Sequence, residues 1–432
     1  MAYGRRSVLL TALGDAVSPA DTRSHELPVA GALYTRAGAE AYVASVCFKH
    51  GPPRLLGVEL EWTVHFRDDA SRPLDRATLR RALGAHSPTT VDPDSPAQPL
   101  PSGGLITVEP GGQVEISSHP TESLTELIRV TETDRAYLSA LLAASGLRLG
   151  DYGLDPARRP ELLLDVPRYN AMWNYYGRIN GDGRIMMAQT AGLQICVDVG
   201  TREQAAARWA AAHEIGPALC ALFANASHHL GRPTGRASQR LRTLLTMDPS
   251  RSRTSPSVAD PAAYWARRAL DTPLLCVRRD CGDWNAPYGV TFAGWLRGAA
   301  PGTPTSDDLK YHLCTLFPPV RPQGYLEIRY LDAQPGPEWI VPTVLVSALF
   351  SSDNVVDRAR EIAAPSAGLW QDAADYGLAE PLLASTAARL AELAMANLGG
   401  FGLDPRVMNL LTSVLTRRLG KESQHSSKGP AL

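Results

Sequence analysis

Four segments of the chain alternate hydrophobic and polar residues with the two-residue period of a β-strand. Their sequences are GVELEWTVHF, QVEIS, LQICVDV and YLEIRYL, and they lie in residues 55–66, 105–118, 192–200 and after residue 324. The second belongs to LITVEPGGQVEISS, which predicts two short strands around a Pro-Gly-Gly turn. Each segment would present one apolar face and one face with carboxylates, amides or an arginine.

The spacing between these strands predicts helices from about residue 37, over 75–85, from a Thr121 cap to about 146, over about 202–230, and beyond 338. Three regions predict loops: 231–262 around a short basic segment, 278–289 and 298–307. The predicted fold class is α+β with a mostly antiparallel sheet. We expect a flexible arm over residues 1–35, one catalytic domain over 36–419 and a polar tail over 420–432.

The polar strand faces carry acidic residues in an unusual pattern. A solvated outer face is the plain interpretation of any one strand, but such faces usually mix acidic residues with Lys, Thr and Ser. These faces contain no Lys. If the strands share one sheet, five carboxylates crowd one surface, those of Glu59, Glu61, Glu109, Glu115 and Glu327.

Like charges at close range oppose one another's ionisation, and a cation relieves that repulsion. Oxygen ligands without a Cys/His set favour Mg²⁺ over zinc, and several acidic strands would hold two or three ions. Such a cluster suits phosphoryl transfer, with Arg329 beside Glu327 meeting phosphate oxygens. The sequence contains no Walker glycine loop and no kinase catalytic loop, so metals and arginines would hold the phosphates.

Composition narrows the function classes. The chain of 432 residues is 44% hydrophobic and 20% charged with a net charge of −1, which argues against a nucleic-acid partner. No apolar run approaches membrane-spanning length. Arg5-Arg6 followed by a short apolar run resembles an export signal, but a ragged cytoplasmic N-terminus is the favoured interpretation. The six cysteines show no zinc spacing and predict a reducing, cytoplasmic compartment.

Five blocks in this order resemble the glutamate–cysteine ligases, in particular the actinobacterial branch that serves ergothioneine synthesis, over roughly residues 40–420. The blocks are GVELEW, TVEPGGQVEISS, LQICVDVG, GRPTGRASQR…MDPSR and YHLCTLFPPVRPQGYLEIRYLDAQP. The resemblance implies a fold related to glutamine synthetase, with a curved antiparallel sheet forming a funnel and helices outside. It also implies that ATP phosphorylates the side-chain carboxylate of glutamate, and that the amine of cysteine then displaces phosphate to give γ-glutamylcysteine.

The matching motifs assign a role to each candidate site residue. The five glutamates would bind Mg²⁺, and Arg329, together with Glu327, would serve the transferred phosphoryl group. Arg240 would grip a glutamate carboxylate. The remaining assignments are Gln194 and Arg321 for ATP phosphate or a metal-bound water, and Arg168, Tyr169 and Met172 for the substrate pocket.

Several of these residues have a plain structural alternative. Tyr169 and Met172 could be core residues, Arg321 a surface salt-bridge residue, and Gln194 a partner of backbone groups. Asp198 could support the site or pair with an arginine. His119 and His312 show no ligand spacing and are expected to be structural.

The sequence departs from the family pattern at three positions. Arg236 and Leu244 stand where tryptophans are usual around Arg240, and Cys196 stands where many relatives have Asn. These departures keep other functions open: a ligase that joins glutamate to another amine, an inactive nucleotide or amino-acid binder, or, more distantly, a metal-dependent phosphohydrolase. The oligomeric state is not predicted.

Overall fold

The computed structural model describes residues 35–420. The predicted arm and tail therefore lie outside the described residues, apart from Thr35 and Gly420. The strands are β1 Leu56–Trp62, β2 Val64–Phe66, β3 Leu105–Val108, β4 Val114–Ser117, β5 Leu147–Leu149, β6 Gly192–Asp198, β7 His228–His229, β8 Arg232–Pro233, β9 Val320–Pro322 and β10 Tyr325–Asp332.

Helices account for most of the rest of the described chain. They are α1 Arg36–Cys47, α2 Arg76–Leu83, α3 Leu124–Ala143, α4 Pro167–Gly177, α5 Asp182–Gln189, α6 Ala205–Glu214, α7 Gly216–Leu222, α8 Gln239–Thr246, α9 Pro249–Ser252, α10 Pro261–Asp271, α11 Phe292–Leu296, α12 Ser306–Leu313, α13 Ile340–Leu349, α14 Asp353–Ala363, α15 Trp370–Asp375, α16 Pro381–Ala396 and α17 Pro405–Gly420. Short 3₁₀ turns precede or follow several of them.

Six strands form one open sheet in the order β3-β4-β1-β6-β10-β9, and every neighbouring pair is antiparallel. The four alternating segments of the sequence all contribute to this sheet. The predicted α+β class with an antiparallel sheet is therefore confirmed. The pairs β2–β5 and β7–β8 form two further, two-stranded sheets.

The apolar face of the main sheet packs against helices α3, α6, α7 and α13. Val58, Ile116, Ile195 and Ile328 on this face are all buried, and every residue of α13 is buried as well. No single helix between residues 35 and 420 is long and apolar enough to cross a membrane; Gly336–Leu349 and Asp353–Ser366 would qualify only as a pair, and it is bent by 110°.

The polar face of the sheet is buried too, so the solvated-face interpretation is wrong. Glu59, Glu115 and Glu327 are each less than 5% exposed. Burying carboxylates is unfavourable unless partners or a ligand compensate their charge. This face is therefore the natural place to look for a functional site.

Local structure differs from the prediction at four places. The predicted strand 55–66 changes partner at Thr63, whose carbonyl accepts from Gly150 N–H, and β2 then pairs with β5. The predicted helix 202–230 breaks at Gly216-Pro217 and ends at Leu222, because proline cannot donate a helical hydrogen bond. Ser123, not Thr121, caps α3 by accepting from Glu126 N–H at 3.2 Å.

The fourth difference lies in residues 231–262, where a loop was expected around the basic segment. That segment is helix α8, and Ser238 caps it by accepting from Leu241 N–H at 3.0 Å. Its buried side carries Arg240 between leucines, so the hydrophobic pattern looks interrupted in the sequence. A charged residue buried for function thus disguised an amphipathic helix.

Candidate active site

A cleft of about 500 Å³ opens on the polar face of the main sheet. Helices α4, α5, α8 and α12 and the turn after β3 contribute the rest of its wall. Ten of the twelve predicted site residues line it: Glu61, Glu109, Glu115, Arg168, Tyr169, Met172, Gln194, Arg240, Arg321 and Arg329. The other two, Glu59 and Glu327, are buried next to lining residues, since Glu59 faces Gln194 in the strand register and Glu327 pairs with Arg329.

Strand register brings the carboxylates together. Glu61 lies opposite Glu115 in the β1–β4 pairing, and Glu59 lies opposite Ser117 in the same pairing. Glu109 follows β3 at the start of the Pro-Gly-Gly turn, where its N–H donates to the Gln113 carbonyl at 2.8 Å. Antiparallel neighbours in register place same-face side chains close together, which is why spacing alone predicted this cluster.

The two turn glycines serve packing. They were expected to let metals or phosphates approach the backbone. A Cβ on Gly111 would instead lie 2.2 Å from the carbonyl oxygen of Ala188, at the end of α5. Gly112 adopts a φ of +90°, which favours glycine. The turn is therefore slim so that α5 can pack directly on it.

Burial and mutual repulsion perturb three of the carboxylates. Burial, reinforced by Glu327, raises the pKa of Glu59 to about 8. Burial, reinforced by Glu61, raises the pKa of Glu109 to about 7. The pKa of Glu115 rises well above its ordinary value for the same two reasons, with Glu59 as the nearest charge. Oε2 of Glu59 has no hydrogen-bond partner among the described residues.

Glu327 differs because two arginines compensate its burial. Arg321 donates to it through Nε at 2.6 Å and Nη2 at 3.1 Å, and Arg329 Nη1 lies 3.0 Å away. Burial alone would raise the pKa of Glu327, but the two guanidinium groups together lower it to about 2. Arg321 is only 4% exposed, so the surface salt-bridge alternative for it is wrong.

A chain of hydrogen bonds connects Glu61, Gln194 and Arg329 across three strands. Glu61 accepts from Gly192 N–H at 2.7 Å and from the Gln194 amide at 2.8 Å. The Gln194 carbonyl oxygen accepts in turn from Arg329. Gln194 therefore pairs with two charged side chains of the site, and the backbone-partner alternative is not what the structure contains.

Arg240 enters the cleft from α8 and is 7% exposed. Its Nη2 donates to the Arg329 carbonyl at 3.0 Å, and its Nη1 lies 3.6 Å from Asp332. Its Nε and Nη1 lack hydrogen-bond partners within residues 35–420. A buried guanidinium with spare donors is suited to a carboxylate ligand.

The two departures around Arg240 differ in position. Leu244, one helical turn further along α8, lines the cleft. Arg236 instead pairs with Asp375 at 2.9 Å and Gln239 at 2.9 Å and is not among the lining residues. Only Leu244 can therefore alter the shape of the pocket directly.

An apolar wall and a cationic rim complete the cleft. Tyr169 and Met172 line it and also pack in a cluster with Met187 and Tyr176, so the pocket and core interpretations both describe them. The Arg168 guanidinium lies 4.9 Å from the centre of the Tyr311 ring and donates to the Cys314 carbonyl at 3.1 Å.

Other lining residues were not singled out from the sequence. They are, among others, Thr107, Gln113, Met187, Arg278, Lys310 and Tyr311. Gln113 alternates in phase with Glu115, so the strand pattern contained the signal for it. The residues from helix α12 and the loop before it lie in no strand and carried no such signal.

The remaining candidates have structural roles. Asp198 accepts from the backbone N–H groups of Arg54 and Leu55 at 2.7 and 2.8 Å. His312 is buried and bonds through Nε2 to the Ala269 carbonyl at 2.9 Å, as expected of a structural histidine. Burial raises the pKa of the Cys196 thiol far above its usual value, which makes it a poor nucleophile.

A metal requirement can be tested against the donor set. No group of three or more His, Cys, Asp or Glu side chains in the described chain is arranged to hold a metal ion. Glu61 and Glu327 are engaged by protein donors, which accounts for this. Even so, the unpartnered Oε2 of Glu59 and the repulsion among the carboxylates fit a hard cation such as Mg²⁺.

Comparison with known proteins identifies the family. Residues 55–398 match the family described as glutamate–cysteine ligase family 2. The chain belongs to this family. It is 34% identical over 394 residues to the glutamate–cysteine ligase EgtA of Mycolicibacterium smegmatis, with 88% of each chain covered. It is 35% identical over 365 residues to the glutamate–cysteine ligase EgtA of Mycobacterium tuberculosis, with 82% of each covered.

Structural similarity agrees with membership of glutamate–cysteine ligase family 2. The crystal structure of a glutamate–cysteine ligase from Francisella tularensis in complex with AMP aligns with a TM-score of 0.52 and 12% identity. The alignment covers 87% of this chain and 84% of that one. At this identity the likeness shows a shared fold, and the fold expected from the resemblance is thereby confirmed.

Proposed function

We propose that this chain is an ATP-dependent glutamate–cysteine ligase that forms γ-glutamylcysteine through a γ-glutamyl phosphate. The observation that carries the proposal is one cleft, in a member of this family, where a carboxylate cluster, two phosphate-suited arginines and a partly unpaired Arg240 meet. The relatives named EgtA support ergothioneine synthesis as the destination of the product. Six free cysteines support a cytoplasmic location.

Two or three Mg²⁺ ions would be held by the acidic cluster. When bound, they would neutralise the charge of the ATP phosphates, which is the main requirement of phosphoryl transfer. The ligands would be Glu59, Glu61, Glu109, Glu115 and Glu327. Glu327 would also hold Arg321 and Arg329 in place, since it already binds both.

Arg329 is the residue that would act on the transferred phosphoryl group. Its side chain is 16% exposed, lines the cleft, and is fixed by Glu327 and Gln194. A pre-oriented guanidinium stabilises developing negative charge without reorganising. Gln194 and Arg321 would contact phosphate oxygens or orient Arg329 toward them.

Arg240 would bind a carboxylate of glutamate, with Arg168, Tyr169 and Met172 forming the opposite wall. The glutamate side-chain carboxylate attacks the γ-phosphorus of ATP, and ADP leaves. The amine of cysteine then forms a bond to the acyl carbon, the carbon–oxygen bond to phosphate breaks, and the nitrogen loses a proton.

One alternative keeps the chemistry and changes the amine. Leu244 lines the cleft where relatives usually have a larger tryptophan, so the pocket has room for a different nucleophile. A non-catalytic binder is less well supported, because it has no need of the full carboxylate cluster with Arg329.

The direct test measures ADP release with Mg²⁺, ATP and glutamate, with and without cysteine, and detects γ-glutamylcysteine by mass. Cysteine-dependent release with that product supports the proposal. Release that responds only to another amine favours the alternative ligase, and release that ignores every amine favours a phosphohydrolase. Folded protein that releases no ADP under any condition favours the binder.

Matched variants test the residues. Glu59→Gln and Arg329→Ala should each abolish turnover in folded protein. Arg240→Ala should raise the KM for glutamate strongly. Arg236→Ala, four residues earlier, removes an arginine that pairs outside the cleft and should leave turnover nearly unchanged. Equal effects of the two arginine variants would contradict the role of Arg240.

A further inference from the structure

The side-chain amide of Gln113 is held in one orientation inside the cleft. Gln113 is 2% exposed and lines the cleft just before β4. Its Nε2 donates to the carbonyls of Thr190 at 2.9 Å and Met187 at 3.3 Å. Turning the amide over would bring its oxygen against two carbonyl oxygens, so these contacts fix Oε1 as the free end.

That oxygen is an acceptor without a donor. Oε1 of Gln113 is buried and has no hydrogen-bond partner anywhere in the described part of the chain. Buried polar atoms in native proteins are nearly always paired, and the exceptions call for a ligand or a functional reason. Because Oε1 can only accept, the missing partner must be a donor.

Gln113 and Arg240 abut the same short piece of backbone. Gln113 binds the carbonyl of Thr190, and Arg240 lies against Gly192, where a Cβ would be 2.2 Å from Nη2. These backbone positions are two residues apart. A spare cationic donor set and a spare acceptor therefore border one region of the cleft.

An α-amino acid carries a carboxylate and an ammonium group on a single carbon, which is the chemistry this pair would recognise. We propose that Gln113 is a substrate-binding residue that accepts a hydrogen bond from the α-ammonium of glutamate while Arg240 binds the α-carboxylate. This proposal rests on the proposed function and assigns Arg240 to the α-carboxylate in particular. An amide suits the role because, unlike a carboxylate, it does not add negative charge to the nearby acidic cluster.

The experiment compares glutamate with glutarate, which has both carboxylates but no α-amine. Gln113→Met keeps the size of the side chain and removes the acceptor. It should raise the KM for glutamate by roughly 10- to 100-fold, the range for a hydrogen bond to a charged group. The inhibition constant of glutarate against glutamate should change by less than about threefold, as should the KM for ATP.

A second variant separates recognition from folding. Gln113→Met also loses the bonds to Met187 and Thr190, which could distort the end of α5. Gln113→Glu keeps an acceptor oxygen whether it is protonated or ionised, so it should retain most of the preference for glutamate over glutarate. Thr190→Val disturbs the same backbone segment without removing Oε1, so any loss it causes should be equal for glutamate and glutarate.

The outcomes are distinguishable. A parallel loss of glutamate and glutarate binding in Gln113→Met, or an unchanged KM for glutamate, would overturn the proposal for Gln113. Neither result would affect the proposed function, which depends on turnover of glutamate and cysteine by the unaltered protein. If the unaltered protein does not turn over glutamate, the proposed function fails first, and the glutamate and glutarate affinities measured by calorimetry still test Gln113.

Discussion

Arg321 and Glu327 face each other in the β9–β10 register and share two side-by-side hydrogen bonds, Nε to Oε2 at 2.6 Å and Nη2 to Oε1 at 3.1 Å. Both residues are almost fully buried. The pair fixes Glu327 as an anion, and Glu327 in turn holds Arg329 at the cleft surface. The phosphate-binding arginine is thus positioned by an ion pair built into the sheet.

Breaking this pair from one side should destabilise the protein. Arg321→Met leaves Glu327 buried with less compensation, and removing one partner of a buried pair costs about 3–5 kcal/mol. Urea unfolding should show this loss, whereas Arg321→Met combined with Glu327→Leu should regain much of it and remain inactive. A single variant as stable as the unaltered protein would contradict the argument.

Gly192→Ala should impair glutamate binding through Arg240. An added Cβ would lie 2.2 Å from Nη2 of Arg240 and 2.9 Å from its Cζ, so the guanidinium must move. We expect a KM for glutamate raised by about tenfold or more, with the KM for ATP little changed. Gly399→Ala is the control, because nothing lies within 4 Å of its added Cβ. Equal kinetics in both variants would sink the idea.

The sheet and its acidic cluster could be predicted because alternation along a strand translates directly into faces. Val58 and Glu59 fall on opposite sides whatever the rest of the fold does. The pattern could not say that the polar face is buried, since burial depends on helices α4, α5, α8 and α12 covering it. That cover is a long-range property that no single segment encodes.

Helix α8 and Gln113 show what the pattern missed. Arg240 occupies a buried position of α8, so a functional charge replaced the apolar residue that would have marked an amphipathic helix. Gln113 alternates in phase with Glu115, but only its contacts with Thr190 and Met187 reveal a fixed acceptor. Functional sites are where local pattern and final structure are expected to disagree.

Glu115→Gln should weaken the response of the protein to Mg²⁺. Glu115 is buried opposite Glu61, so replacing it with a neutral amide removes repulsion between like charges. Without Mg²⁺ the variant should therefore unfold at the same or a higher temperature than the unaltered protein. With Mg²⁺ and ATP the unaltered protein should gain more, because a ligand stabilises only as much as it binds. Identical gains in both proteins would show that Glu115 does not contact the metal.

His312 should make stability depend on acidity. Its Nε2 bonds to the Ala269 carbonyl, and burial, assisted by the charge of Arg251, lowers its pKa to about 3. The unfolded chain then binds a proton near pH 6.5 that the folded chain refuses until much lower pH. Stability from this residue is therefore complete above pH 6.5 and falls by up to about 1.4 kcal/mol per pH unit below it.

His312→Gln isolates that contribution, because glutamine keeps a donor and does not titrate. Its melting temperature should fall less steeply between pH 6.5 and 4 than that of the unaltered protein. His119→Gln is the matched control, since His119 is exposed and its replacement should leave the slope unchanged. If all three proteins lose stability in parallel on acidification, the carboxylates rather than His312 govern acid unfolding.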